Sequence, residues 1–250
     1  MNGQDVKRQQ RTIPEELPLL GGMTAAGRTR LLKSAITHRV AAGTVLFDQG
    51  SAPTFQHIVI EGSVHLFGRS HGNRGVLIEV VEAPDLVVPA AVMTQAPYLM
   101  QARIPRDSQL LLIEASAFRA MLLEEPELAR AVILSLSEQF RRMVRQIKNL
   151  KLRTSAERVG CYILALAQRQ GGGGPVVLPY EKHLIASMLG ITPESFSRAL
   201  ALLQKHGIAV EGERISILDR EALAAACGPD PLIDGVGEAT INRPPRKAAS

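Results

Sequence analysis

Seven apolar residues, Ala129, Ile133, Leu136, Phe140, Met143, Ile147 and Leu150, recur at intervals of 4, 3, 4, 3, 4 and 3. Few structures satisfy that spacing. It is the a/d seam of one α-helix held for about three heptads, roughly 32 Å long at 1.5 Å per residue. Two partners could bury it: the core of the helix's own domain, or a second copy of the chain. A helix lying on a core usually shows a wider apolar face. The narrow seam favours a parallel dimer with Ile133, Leu136, Phe140, Met143, Ile147 and Leu150 at the interface.

The segments on either side of this helix read differently. From about Val40 onward, short apolar runs (Thr44–Phe47, Ile58–Ile60, Val64–Phe67, Val76–Val81, Gln109–Ile113) are divided by turn residues at Gly50–Pro53, Glu61–Gly62 and Ser70–Gly75. Evenly spaced short strands with such punctuation predict a compact antiparallel barrel or sandwich, closed by a short helix over Ser116–Leu123. After the seam, Ser155 offers a cap for a helix from Ala156 to about Gln170, with Arg158 where a capping box would place Glu. The glycines Gly171–Gly174 lack the lysine of a phosphate loop and read as a turn. Then come a short strand (Val176–Leu178), helices over about Tyr180–Leu189 and Pro193–Lys205, two strands (Ile208–Val210, Ile215–Ile217) and a helix over about Arg220–Ala226.

Composition narrows the function. Of 250 residues, 46% are hydrophobic and 21% charged, with a net charge of +5, which suits a globular chain with a sizeable core. No apolar stretch approaches the ~20 residues of a membrane span. Lys7, Arg8 and Arg11 are followed by no apolar run, so no signal peptide is expected and the cytoplasm is the predicted location. Two cysteines, Cys161 and Cys227, make neither a disulfide framework nor the four ligands of an iron–sulfur cluster. No metal-ligand spacing, nucleophile elbow or carboxylate pair stands out, so an enzyme is not expected.

The most specific local signal lies in Lys182–Ala201. Ala186 is small where two helices must approach, and Gly190 stands where the turn needs positive φ. Leu189, Ile191 and Phe196 would fill the wedge between the helices. This is a helix-turn-helix pattern, and the following strand pair fits a wing. Thr192 caps the second helix and Pro193 suits its first position. Glu194, Ser197 and Arg198 fall on one face, with Ser195 beside them in the first turn. Arg198 can donate to guanine O6 and N7, Glu194 can accept from cytosine N4, and Ser197 can reach a thymine or a phosphate. Glu194 could also pair with Arg198 across one turn and pre-orient it. The cations Arg141, Arg142, Arg145, Lys148, Lys151 and Arg153 precede this segment with no acidic residue between Phe140 and Ala156. They read as a solvated face that adds positive potential.

From about Ala41 to Gly228 the chain resembles the Crp/Fnr family of bacterial transcription regulators. The likeness rests on Gly43–Phe47, Gly50, Glu61–Val64 and Leu189–Arg198. The last stretch is similar to an Fnr-type recognition helix, and Leu178–Lys182 with Pro193–Ser195 looks most like the nitrogen-oxide-responsive Dnr/NnrR branch. The resemblance implies an α+β chain: an N-terminal antiparallel β-roll of the cyclic-nucleotide-binding kind, a long dimerisation helix and a C-terminal winged helix-turn-helix. On that frame the chain divides into a lead-in (1–27), a sensor roll (28–125), a dimer helix (126–153), a DNA-binding domain (154–228) and a disordered tail (229–250). It implies a homodimer on double-stranded DNA reading a TTGAT-N4-ATCAA palindrome through Thr192, Glu194, Ser195, Ser197 and Arg198. Activation through RNA polymerase in a nitrogen-oxide or low-oxygen response follows from the same likeness.

The departures matter as much. Cyclic-nucleotide-binding relatives hold the ribose with Glu and the cyclic phosphate with Arg. Here those positions fall at about Pro89 and Tyr98–Leu99, and a buried phosphate without its guanidinium is not expected. No cysteine cluster precedes residue 40, so the oxygen-labile cluster of some relatives is not expected either. Effectors of the family usually sit near the apolar stretch Leu86–Met100. Met93, Tyr98 and Met100 are its candidate pocket residues, and haem, which some relatives bind, is compatible with them. His38, His57 and His65 are conceivable ligands, each more simply read as a core or surface residue. His183 and His206 read as surface or phosphate-adjacent residues, and His71 as part of a polar turn. The alternative function is a haem-dependent gas sensor whose DNA binding is conditional.

Overall fold

The computed structural model describes residues 17–69, 75–172 and 174–234. The lead-in up to residue 16, the turn at 70–74 with His71, Gly173 and the tail from 235 lie outside the described residues. The chain forms two compact units, one up to Glu138 and one from Gln139. The α+β architecture is the expected one, a β-roll followed by a long helix and a winged helix-turn-helix.

The first unit is built on two four-stranded antiparallel sheets. Its elements are α1 (Ala25–Ser34), β1 (Ala35–Val40), β2 (Val45–Phe47), β3 (Phe55–Glu61), β4 (Ser63–Arg69), β5 (Gly75–Glu82), β6 (Asp85–Val87), α2 (Pro89–Thr94), β7 (Gln101–Arg103), β8 (Ser108–Glu114), α3 (Ala115–Glu124) and the start of α4 (Pro126–Leu152). One sheet has the order β1-β8-β3-β6 and the other β2-β7-β4-β5. Side chains alternate across each strand, so each strand of the first sheet serves two cores. Val59 and Leu110 enter the core shared with β4 residues Val64 and Leu66. Their neighbours Ile58, Leu111 and Ile113 point the other way, into a core with Leu31, Phe118, Leu128 and Val132. Gly62 turns β3 into β4 at φ +88°, and a Cβ there would run into Ser108.

Sequence periodicity undersold both ends of this unit. Residues 17–27 are not a loose lead-in: Leu17, Leu19, Leu20 and Met23 are buried in the helix-side core. Thr24 caps α1 by accepting from the Gly27 amide at 3.0 Å and donates to the buried Glu125 carboxylate at 3.3 Å. Arg30 closes on the same carboxylate at 2.6 Å. The closing helix and strand run slightly longer than predicted, over Ala115–Glu124 and Ser108–Glu114.

The second unit comprises the rest of α4, α5 (Ser155–Arg169), β9 (Val176–Val177), α6 (Lys182–Met188), α7 (Pro193–Leu203), β10 (Ile208–Glu211), β11 (Arg214–Ile217), α8 (Arg220–Cys227) and α9 (Pro231–Asp234). One core joins Val159, Ile163, Ile185, Phe196, Leu203, Ile215 and Leu223. The cap of α5 differs from the sequence expectation. Thr154, not Ser155, is the N-cap, and Glu157 completes a full capping box: Thr154 N donates to the Glu157 carboxylate at 2.7 Å, and Glu157 N to the Thr154 hydroxyl at 3.3 Å. The same exchange holds the Glu157 carboxyl below its ordinary range. Cys161 and Cys227 are free and buried; burial pushes the Cys161 thiol up to about 12, so it packs as a small apolar residue.

Candidate nucleic-acid interface and roll cavity

The helix-turn-helix is fixed from its turn outward. At the end of α6, Gly190 takes φ +63°. The Ile191 amide donates to the Ala186 carbonyl at 3.0 Å and the Gly190 amide to Ser187 at 2.9 Å. These two bonds are a Schellman motif, which satisfies the last carbonyls of α6. Two residues to which the sequence reading gave other places, a helix cap and the dimer seam, lock this turn to its unit. Arg158 on α5 donates to the Leu189 carbonyl at 2.9 Å, and a Cβ on Gly190 would collide with the Leu150 side chain. Leu150 therefore leans on the turn, while most of the seam above it stands in solvent.

Thr192 then starts α7 with its hydroxyl accepting from the Ser195 amide at 3.2 Å, and Pro193 fills the first helical position. Phe196, Ala199, Leu200 and Leu203 are buried. Thr192, Glu194, Ser197 and Arg198 are exposed and Ser195 half-buried. The five predicted contact residues thus share the outward side of one rigid, capped helix. Arg198 is anchored on Ser195, where the sequence also allowed a pair with Glu194. Its Nη2 donates to the Ser195 hydroxyl at 3.0 Å, and that hydroxyl lies 3.2 Å from Thr192 Oγ1. Ser195 is one turn before Arg198 and shorter than Glu194, so it orients the guanidinium from closer to the helix. Behind α7, β10 and β11 pair in register from Ile208↔Ile217 to Glu211↔Arg214, and β9 adds a third strand.

Helix α4 presents the seam as an exposed stripe. Ile133 is 61% exposed, Phe140 62%, Met143 50% and Ile147 49%. Leu136 leaves the stripe by packing partly against the first unit's core, beside Leu128 and Val132. The cation run is likewise divided. Arg153 is no solvated charge: its guanidinium grips both carboxylate oxygens of Asp234, at 2.6 Å for Oδ1, and also donates to Asn149 at 3.1 Å. Lys148 pairs with Asp230 at 3.7 Å. Residues 229–234 are therefore an ordered clasp, where the sequence reading expected a disordered tail. The clasp depends on carboxylates more than 80 residues beyond their partners, which no local pattern announces.

The effector stretch Leu86–Met100 is part core and part surface. Leu86 and Val92 enter one core, Val87, Ala91 and Tyr98 the other, and Met100 packs partly against the latter. Met93 stands 39% exposed on α2. Tyr98 and Met100 thus share one core, and Met93 lies on the surface of α2. A cavity of about 590 Å³ does open in the roll, among residues of β1, β2, β3 and β8, and of the three it touches only Tyr98. Tyr98 stacks on Phe47 with ring centroids 3.6 Å apart. Among the histidines suggested by sequence, His38 and His57 line this cavity; His65 is buried and does not.

The comparisons with known proteins agree with this architecture. The family model of the cyclic nucleotide-binding domain matches residues 37–125, and that of the Crp-like helix-turn-helix domain matches 157–226. The chain is 25% identical over 187 residues to the CRP-like cAMP-activated global transcriptional regulator of Mycobacterium tuberculosis, covering 73% of this chain and 84% of that one. It is 24% identical over 191 residues to the transcriptional activator protein FnrA of Stutzerimonas stutzeri, covering 74% and 78%. Among solved structures, FixK2 of Bradyrhizobium japonicum superposes with a TM-score of 0.63 at 19% identity, over 76% of this chain and 96% of that one.

Proposed function

We propose, for a chain that belongs to the Crp/Fnr-type transcription regulators, that it works as a homodimer reading an Fnr-like TTGAT-N4-ATCAA palindrome. The observation that carries this reading is the outward side of α7. A buried Phe196, a Schellman turn and a Thr192 cap hold Glu194, Ser197 and Arg198 rigidly at an exposed helix N-terminus, the part of a recognition helix that meets base edges. The apolar stripe of Ile133, Phe140, Met143 and Ile147 is the dimer seam. Two-fold symmetry would set the recognition helices about 34 Å apart, one turn of DNA. The likeness to an activator supports activation, with RNA polymerase as partner, in a nitrogen-oxide or low-oxygen response.

Residues 86–102 contain no charged side chain, so neither the ribose carboxylate nor the phosphate guanidinium of a cyclic-nucleotide site stands there. A haem-gated mode would want its ligand candidates on one open space, and of Met93, Tyr98 and Met100 only Tyr98 lines the roll cavity. DNA binding without added effector is therefore the first reading. It is tested by titrating the purified protein against a TTGAT–ATCAA duplex and a scrambled duplex at one salt concentration. Selective binding of one dimer per palindrome is expected. In Arg198→Ala, selectivity should relax at one base pair at a cost of about 1–3 kcal/mol. Equal weakening on every duplex would make Arg198 a phosphate contact and overturn the base-reading assignment.

A further inference from the structure

The cavity among β1, β2, β3 and β8 is not accounted for by the DNA-reading function. Phe47, Phe55, Tyr98, Leu110 and Leu112 give it an apolar, aromatic wall, and His57 stands in that wall. His57 lies centrally on β3, opposite Leu112 of β8 and Val87 of β6. It is 6% exposed, and its ring sits 5.6 Å from Phe47 and 6.4 Å from Phe55, centroid to centroid. Its Nδ1 is sealed from solvent and has no hydrogen-bond partner among the described residues. A buried polar atom left alone costs on the order of 1–3 kcal/mol, and a side chain that carries that cost in a cavity wall is poised for a ligand.

The lining also says what kind of ligand fits. Several of its other polar groups are already engaged. Thr44 and Ser51 donate to the carbonyls of Ala41 and Asp48, and Tyr98 donates to Phe55 at 3.3 Å. The Asp48 carboxylate accepts from Gln101. Among the described residues no lysine or arginine lines the space, so an anion would meet the Asp48 carboxylate with no ammonium or guanidinium to pair with. Burial keeps the His57 imidazole neutral at neutral pH, with its pKa lowered to about 4, so His57 supplies no charge either. Aromatic walls with one neutral hydrogen-bonding group are the usual make-up of a pocket for an uncharged planar molecule.

We propose that this cavity is a binding site for an uncharged aromatic small molecule, packed among Phe47, Phe55 and Leu112 and hydrogen-bonded by a small rotation of His57. It is separate from the Leu86–Met100 stretch, sharing only Tyr98 with it, and stands or falls independently of the DNA-reading assignment.

The test uses the full chain and N-phenyl-1-naphthylamine, an uncharged aromatic amine whose emission rises in apolar surroundings. The protein has no tryptophan to interfere. Saturable binding of one probe per chain is expected. Val45→Trp, at a half-exposed position on the cavity wall, should abolish it by filling the space. His57→Phe should weaken it about tenfold and His57→Gln should restore most of the loss, with thermal melting confirming that each variant folds. The anionic analogue 1-anilinonaphthalene-8-sulfonate should bind at least tenfold more weakly. No saturable binding, full binding in Val45→Trp, equal affinity for the anionic probe, or indifference to His57→Phe would each overturn the proposal.

Discussion

His57→Phe should make the folded protein less sensitive to acid, by an amount the structure sets. Burial lowers the His57 pKa from 6.5 to about 4. Between those values the unfolded chain binds a proton that the folded chain refuses, so stability falls as pH falls. With those two pKa values, linkage gives a loss of about 2 kcal/mol by pH 5 and about 3 kcal/mol by pH 4, relative to pH 7. Phenylalanine has nearly the same shape and sits naturally among Phe47 and Phe55. It also removes the unpartnered Nδ1, so the variant should be as stable as the parent, or more so, at pH 7. The assay is urea denaturation of both full-length proteins at pH 7 and pH 5, followed by circular dichroism. His38, Asp48 and Tyr98 line the same cavity, and His65 also has a lowered pKa; all are common to both proteins, so the difference isolates His57. The gap should widen by about 2 kcal/mol in favour of the variant on going to pH 5. A gap that stays constant would mean that His57 accepts its proton in the folded state, and the burial argument would be refuted.

Three other substitutions probe the second unit. Gly190→Ala forces a β-carbon into a φ of +63° and against Leu150, and should cost about 2–3 kcal/mol in chemical denaturation. Asp234→Asn leaves Arg153, whose side chain is 6% exposed, without its carboxylate. The expected loss is about 2–4 kcal/mol, read from the same denaturation curves, and an unchanged midpoint would show that the clasp contributes nothing. Ser195→Ala frees the Arg198 guanidinium from its 3.0 Å anchor. Discrimination between the palindrome and single-base variants should fall several-fold, with melting temperature and binding to scrambled DNA unchanged.

Local pattern carried a good deal of this. The 4-3 seam placed α4, and the Gly-Ile-Thr-Pro stretch placed the turn, cap and outward residues of α7 to within a residue or two. Both are short-range matters: which side of a helix a residue faces, and whether a backbone position tolerates a side chain. The alternating runs announced a compact antiparallel barrel or sandwich for the same reason, although β6 and α2 were hidden inside what looked like one apolar effector stretch. A strand of 3 residues and a helix of 6 are too short to show either period.

What tertiary structure alone decided involves partners far apart in the chain. Arg153 reads as one more cation in a basic run until Asp234 is brought against it. Arg158 looks like a poor capping residue until the Leu189 carbonyl comes within 2.9 Å. Leu136 belongs to the seam by spacing, yet packs partly on a core, because a helix face is divided by whatever lies against it. His57 is an ordinary strand residue in sequence. Burial among aromatic rings, without a partner for Nδ1, comes from the pairing of β3 with β6 and β8. Sequence determines what each residue can do within a turn or two of its neighbours. Desolvation and long-range pairing exist only once the strands and helices have met.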